Sequence, residues 1–131
     1  ESALISGAGA AGGLGFGLLH FANARLISGF DLLAGLLDLE ERISQADHVV
    51  TGGGSIDHQS LSGKGPVALA GLANARGIPV TGYCGLTDDA ARASGIFHSL
   101  HALADTGLPL ETLISNAAEL LTEMAAKPET I

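Results

Sequence analysis

The feature that most constrains the fold of this 131-residue chain is a buried strand that runs into glycines and is followed by a helix. The β-branched run from His48 to Thr51 ends at Gly52, a pattern typical of a buried strand entering a tight turn. A helix is predicted from Pro66 to Arg76, because Pro is favoured at a first helical position and Gly77 follows as a stop. A strand, a loop and a helix in this order indicate one unit of a parallel sheet.

The segments around this unit continue the alternation of strands and helices. The apolar side chains of the last predicted helix lie on one face, as expected of a helix that packs on a sheet. The pattern therefore predicts an α/β fold, a parallel sheet with flanking helices in a Rossmann-like three-layer arrangement. The further predicted elements are strands at 78–83 and 96–100, and helices at 31–37, at 39–45, after Thr87-Asp88-Asp89, and from Leu110 to Ala126.

The composition excludes several classes of protein. A hydrophobic share of 47% with only 15% charged residues excludes a disordered chain. A net charge of -8 and an aromatic share of 4% argue against a nucleic-acid partner. The single cysteine, Cys84, cannot form an internal disulfide, so we expect a cytoplasmic protein in which Cys84 is a small buried residue. The glycine-interrupted stretch from Ser2 to Asn23 is expected to be neither a signal peptide nor a membrane span.

The strongest candidate for chemistry is the segment from Thr51 to Pro66, between the first predicted strand and its helix. Its three consecutive glycines, 52–54, could expose backbone N–H groups to an anion. Lys64 lies two residues before Pro66, near the positive end of the helix dipole, where phosphate is favoured. Asp57 could bind a metal ion or take a proton from an attacking hydroxyl.

Two other interpretations of these patterns stay open at this point. The segment is not a Walker A loop, since His58 and Gly65 occupy positions that such a loop needs for Gly and Ser or Thr. A polar turn in which Asp57 caps and Lys64 is merely solvated explains the spacing equally well.

Separately, Gly7, Gly9 and Gly12, with Asp31 downstream, match a dinucleotide-binding fingerprint. Only the apolar residues 3–5 precede that fingerprint, so close packing or a hinge is favoured over NAD binding.

The segment from Thr51 to Pro66 resembles a motif of the bacterial type of glycerate kinase, T-G-E-G-x-x-D-x-Q-(S/T)-x-x-G-K-x-P. Upstream, 9–15 resembles the G-A-A-G-G-L-G segment of the same family, and 29–31 its G-(I/F)-D. The motif is specific, and the resemblance runs through most of the chain. Matching positions are Thr51, Gly52, Gly54, Asp57, Gln59, Ser60, Gly63, Lys64 and Pro66.

The resemblance implies an enzyme that uses ATP and Mg²⁺ to phosphorylate D-glycerate in a cleft between two α/β domains, one inserted in the other. This chain would supply about the C-terminal third of it. Residues 1–30 would be a glycine-rich hinge segment from the inserted domain, and 31–131 the C-terminal portion of the doubly wound domain. The chain is therefore expected to need the remainder of the enzyme, with a homo-oligomer as a further option, and to have no membrane partner.

The resemblance also implies roles for individual residues. Asp57 and Lys64 would be catalytic, with Asp57 also a candidate magnesium ligand. One departure matters, because the family Glu between the first two glycines is Gly53 here. Its loss leaves open a non-catalytic module that binds a nucleotide or an anion. Substrate or nucleotide binding is implied for Thr51, Gly52, Gly53, Gly54, Gln59, Ser60, Gly63, Gly12, Gly13 and Asp31.

Overall fold

The structure is a computed structural model, and it describes residue 5 and residues 7–127. Ala3 and Leu4, which were weighed as part of a strand before the dinucleotide fingerprint, lie outside the described residues. The chain divides into two compact units, Glu1–Leu37 and Asp38–Ile131. The division falls after Leu37, and the assignment of residues 1–30 to an inserted domain stays a prediction.

The first unit contains two helices, α1 (Ala10–Phe21) and α2 (Gly29–Leu36). Helix α1 is interrupted near its start, where Ala11, Gly12 and Gly13 have φ angles of 50°, 69° and 93°. Further along α1, a Cβ on Gly15 would lie 2.5 Å from the carbonyl oxygen of Gly7. The glycine-rich start of the chain therefore allows backbone to approach backbone closely, as the close-packing interpretation expected.

The second unit holds the whole described sheet. Its predicted character, strands alternating with helices, is confirmed. Two 3₁₀ turns, at Ser60–Ser62 and Leu103–Thr106, supplement the regular elements. These elements are α3 (Leu39–Ser44), β1 (Val49–Ile56), α4 (Gly65–Asn74), β2 (Val80–Thr87), α5 (Asp89–Ala93), β3 (Ser99–Ala102), α6 (Leu110–Ser115) and α7 (Ala117–Ala125).

The sheet has three parallel strands in the order β1-β2-β3. In the register of β1 and β2, Val49 is paired with Val80 and Gly52 with Tyr83. On one face, Val49 and Val80 pack with Ala70 and Ala73 of α4 in the main apolar core. Because side chains alternate along a strand, Val50 and Tyr83 point to the opposite face. The parallel α/β fold with flanking helices is thus confirmed, with α4 as the layer on the first face.

The first strand is longer than the sequence pattern indicates, so the prediction of a tight turn at Gly52 is wrong. Strand β1 continues to Ile56, and Gly52 and Gly53 are paired with Tyr83 and Cys84 of β2. The reason lies in the spacing of the two backbones, since a Cβ on Gly52 would lie 2.6 Å from the carbonyl oxygen of Tyr83. Gly52 thus serves close strand pairing, and residues 52–54 lie within β1 and form no turn, while their role in binding an anion stays a prediction.

Other boundaries also differ from the expected ones. Strand β2 begins later and runs to Thr87, and β3 is the short segment after His98. The last predicted helix is divided into α6 and α7 at Asn116, whose φ of -110° and ψ of 18° leave the helical range. Among the described helices, none combines the length and the apolar character that crossing a bilayer requires.

Candidate functional site

Asp57 lies immediately after β1, and its carboxylate organises the loop that follows. The Ser60 backbone N–H donates to Asp57 Oδ1 at 3.0 Å, and the Ser55 hydroxyl donates to Oδ2 at 2.9 Å. In return, the Asp57 N–H donates to the Ser60 hydroxyl at 3.2 Å. The carboxylate thus stabilises the turn that leads into the 3₁₀ segment Ser60–Ser62, a local structural role close to the one that the polar-turn interpretation gave it.

These hydrogen bonds also fix the charge of the carboxyl group. The hydrogen bond from Ser55, followed by that from the Ser60 backbone N–H, holds the pKa of Asp57 below its ordinary value. The positive charge of Lys64 adds a smaller effect in the same direction. Asp57 is therefore ionised at neutral pH.

Lys64 is placed by the start of the following helix. It is the N-cap residue of α4 with an extended backbone, and Gly63 before it has a φ of 103°. Pro66 occupies the first turn of α4, as the sequence predicted. The Lys64 side chain is exposed and, among residues 7–127, forms no salt bridge with a carboxylate. Its ammonium is therefore free to meet an anion beside the positive end of the α4 dipole.

A second loop is joined to this one through His58 and Asp88. The His58 backbone N–H and its Nδ1 each lie 2.9 Å from Asp88 Oδ2. Asp88 Oδ1 in turn accepts from the Ala91 N–H at 2.8 Å, which makes Asp88 the N-cap of α5. Hydrogen bonds from the His58 and Ala91 N–H groups lower the pKa of Asp88 to about 2. One carboxylate thus ties together the segments that follow the carboxyl ends of β1 and β2.

Thr87, the last residue of β2, adds an unexplained polar group to this edge of the sheet. Its Oγ1 is buried and, within the described part of the chain, has no hydrogen-bond partner. Thr87 pairs with Ile56 in the sheet register, so it lies beside the residue that precedes Asp57. The sequence indicated Thr87 and Asp88 most simply as a helix start, with a position at the border of the same cleft as an option. The pairing of Asp88 with His58 depends on strand register, which a sequence pattern does not contain.

The other predicted site residues in this unit differ in accessibility. Ser60 is 1% exposed with its hydroxyl engaged in the Asp57 turn, so it shapes the loop from inside. Gln59 is exposed, and its carbonyl accepts a hydrogen bond from the Ser62 hydroxyl at 2.6 Å. Thr51 is half-buried in β1. Cys84 is buried, as expected, and burial raises the pKa of its thiol.

Metal ligands are sparse around Asp57. Across residues 7–127, no three His, Cys, Asp or Glu side chains cluster closely enough to form a metal site. Protein sites for Mg²⁺ commonly supply only one or two carboxylates, the other ligands being waters and substrate phosphates. Asp57 fits that limited role, since Oδ2 accepts only the Ser55 hydroxyl and keeps a lone pair available.

Comparison with known proteins decides the family. The model of the glycerate kinase family matches residues 1–129. The glycerate kinase of Bacillus subtilis is 38% identical over 122 residues, which are 91% of this chain and 32% of that protein. The glycerate kinase of Neisseria meningitidis is 36% identical over 126 residues, 93% of this chain and 33% of that protein.

A solved structure agrees with these relatives. A crystal structure assigned to glycerate kinase 2 of Salmonella typhimurium LT2 is 29% identical, with a TM-score of 0.53. It covers 92% of this chain, and this chain covers 34% of it. The chain belongs to the glycerate kinase family. It spans about a third of the length of these glycerate kinases and matches their C-terminal part.

Membership of the glycerate kinase family leaves the roles of all the predicted site residues as predictions, including those of three residues outside the second unit. Gly12, Gly13 and Asp31 lie in the first unit, with the two glycines in the interrupted start of α1. The Asp31 N–H donates to the hydroxyl of Ser28, the N-cap of α2, at 3.3 Å. The matched family is a kinase family, so it lends no support to NAD binding at the glycine fingerprint.

Proposed function

We propose that this chain forms part of an enzyme that transfers a phosphoryl group from ATP to D-glycerate, giving a phosphoglycerate. The observation that carries the proposal is the Asp57 turn, which places an ionised carboxylate and the free ammonium of Lys64 between the end of β1 and the start of α4. Ligands of open α/β sheets bind at this carboxyl edge of the strands. A cytoplasmic location and a homo-oligomeric state belong to the same proposal.

Lys64 acts on the negative charge of the reactants. Its ammonium and the N-terminal backbone of α4 together form a positive region that suits a phosphate or the carboxylate of glycerate. Phosphoryl transfer depends mainly on positioning and on neutralising charge as the phosphoryl group moves between oxygens. Lys64 supplies the charge neutralisation.

Asp57 acts on the acceptor. An ionised carboxylate held by hydrogen bonds from Ser55 and Ser60 has a fixed direction, and it can accept a hydrogen bond from the glycerate hydroxyl. This contact orients the attacking oxygen and receives its proton as the new phosphate ester bond forms. A bound Mg²⁺ would neutralise part of the phosphate charge, and Asp57 is a residue that would hold it, through Oδ2.

The test uses a family-length polypeptide, the chimera, in which the part of Bacillus subtilis glycerate kinase preceding the matched region is joined to this chain. We expect Lys64→Ala and Asp57→Asn each to lower kcat by about 100-fold or more, because each removes a charged group from the reacting atoms. Lys127→Ala and Asp89→Asn remove the same charges elsewhere and should leave kcat nearly unchanged. The measurement is ADP release coupled to NADH oxidation, with D-glycerate as acceptor. Near-normal turnover in both site variants would refute the assigned roles.

A non-catalytic module that binds a nucleotide is the second candidate, and Gly53 favours it. The family motif has Glu at this position, so the chain lacks a carboxylate beside the site. Calorimetric titration of the chimera with ATP separates the two candidates when it is compared with the turnover assay. ATP binding without any D-glycerate-dependent ADP release would support the module.

A further inference from the structure

An exposed histidine follows Asp57 directly in the segment after β1. The side chain of His58 is 68% exposed, although its backbone N–H and its Nδ1 both lie 2.9 Å from Asp88 Oδ2. The motif that this segment resembles has no fixed residue type at position 58, so the resemblance implies no role for the imidazole. Its role has to be inferred from its contacts.

The contact with Asp88 fixes which nitrogen of the ring carries a proton. The carboxylate of Asp88 is ionised and only accepts hydrogen bonds, so Nδ1 of His58 donates to it. In a neutral imidazole the other nitrogen is then an acceptor. Nε2 therefore presents a lone pair that is directed away from Asp88. Within residues 7–127 this nitrogen has no hydrogen-bond partner.

The position of the ring is fixed as well as its tautomer. Asp88 Oδ1 accepts from the Ala91 N–H at 2.8 Å, so the carboxylate is held between α5 and the segment after β1. The His58 backbone N–H adds a second attachment at the oxygen that holds the ring. A side chain that is already held in this way loses little further conformational freedom when it binds a ligand. His58 Nε2 is thus a preorganised acceptor for a hydroxyl group.

The neighbouring carboxylate indicates which hydroxyl group this is. D-glycerate carries hydroxyl groups on two adjacent carbons, and Asp57 contacts the one that is phosphorylated. Consecutive Cα atoms lie about 3.8 Å apart, which brings a three-carbon acid at Asp57 within reach of the next side chain. We propose that His58 Nε2 accepts a hydrogen bond from the second hydroxyl group and so selects acids that carry two. This assignment rests on the proposed function.

A measurement on this chain tests the tautomer by itself. With ¹⁵N-labelled histidine, a long-range ¹H–¹⁵N spectrum shows which ring nitrogen is protonated, and His58→Asn identifies the His58 signals by removing them. The proton of the neutral ring is expected on Nδ1. A proton on Nε2 would overturn the proposal, because that nitrogen could not accept a hydrogen bond from a hydroxyl group.

The substrate contact is tested in the chimera with D-lactate and 3-hydroxypropanoate, analogues of D-glycerate that each lack one hydroxyl group. Their inhibition constants are measured against D-glycerate turnover in the ADP-release assay. The Asn side chain in His58→Asn can still donate to Asp88 but has no acceptor in the place of Nε2. It should weaken only the analogue that keeps the second hydroxyl group, by about fivefold to tenfold, and raise the KM for D-glycerate equally, as expected for one lost hydrogen bond.

The control is His98→Asn, the same substitution at another exposed histidine, which should leave the KM and both inhibition constants unchanged. Equal weakening of both analogues by His58→Asn would overturn the proposal, because it would show that His58 only supports the loop. No weakening of either analogue would also overturn it. These outcomes, like a proton on Nε2, leave the proposed function standing, whereas a folded chimera without D-glycerate turnover would overturn both.

Discussion

At Gly53 this chain departs from the family motif, and the structure shows room for the side chain of the motif's Glu. A Cβ on Gly53 would lie 3.6 Å from Pro66 Cγ and 3.8 Å from the Ser55 carbonyl oxygen, both ordinary contacts. A Glu here would extend beside the start of α4, the helix that Lys64 caps. We predict that Gly53→Glu raises kcat of the chimera by about tenfold or more, as expected of an added polar group that orients a reactant.

The control for this prediction is Gly53→Gln, which adds the same bulk without the charge. It should leave kcat close to that of the unchanged chimera, measured by the same ADP-release assay. An equal effect of Glu and Gln would show that the carboxylate itself has no role, and an unfolded Gly53→Glu variant would contradict the geometry of the space beside Pro66.

Gly52 differs from its neighbours in having no space for a side chain. Because a Cβ would lie 2.6 Å from the Tyr83 carbonyl oxygen, the two strands would have to move apart to accept one. We predict that Gly52→Ala lowers the free energy of unfolding by about 1–3 kcal/mol, the usual cost of overpacking. Gly54→Ala is the matched control, since a Cβ there meets nothing within 4 Å. Urea unfolding followed by circular dichroism measures both, and equal losses would contradict the close approach at Gly52.

At the scale of elements, strand β1 shows what the sequence could and could not predict. Its β-branched start, from Val49, and the helix after Pro66 follow from local preferences, so both were predicted correctly. Its continuation through three glycines depends on pairing with β2, a partner about thirty residues away in the register. The pairing of His58 with Asp88 has the same origin, whereas the turn capped by Asp57 is local and was among the alternatives.

The link between the loops after β1 and β2 carries a pH dependence. In the folded chain the hydrogen bonds from His58 and Ala91 lower the pKa of Asp88 to about 2, below its ordinary value, so folding favours its ionised form. The stabilisation is therefore complete above the unfolded pKa, and it is lost as the pH falls from about 4 to about 2. We predict that Asp88→Asn is less stable than the unchanged chain near neutral pH, and that the difference shrinks across this acidic range.

Urea unfolding at a series of pH values measures this difference in the free energy of unfolding. Asp89→Asn, which removes the same charge from the adjacent residue, is the control, and its difference from the unchanged chain should vary less with pH. A difference for Asp88→Asn that stays constant down to about pH 2 would show that the hydrogen bonds from His58 and Ala91 do not depend on its charge.

At the scale of the whole molecule, the family and the fold class were predictable because both depend on patterns along the chain. The motif from Thr51 to Pro66 is contiguous, and parallel α/β folds alternate strands and helices in order. An apolar groove beside the sheet, lined by uncharged residues, was not predictable in this way. Its walls come from β1, β2, α6 and α7, which are far apart in the sequence. The sequence pattern of the last helices therefore indicates only an apolar face that packs in a core.

The distribution of the core gives a final prediction for the molecule. Among the described residues, two buried apolar clusters are formed, one around Val49 and Val80 and the other around Ile56 and Cys84, and their members belong to the second unit. Since burial of apolar surface is the main source of stability, residues 38–131 should fold without residues 1–37. The measurement is a ¹H–¹⁵N spectrum of the shortened chain, whose sheet resonances should superimpose on those of the full chain. Val80→Ala in the shortened chain, a core truncation costing about 1–3 kcal/mol, should lower its unfolding midpoint. A collapsed spectrum for residues 38–131 would show that the first unit stabilises the sheet.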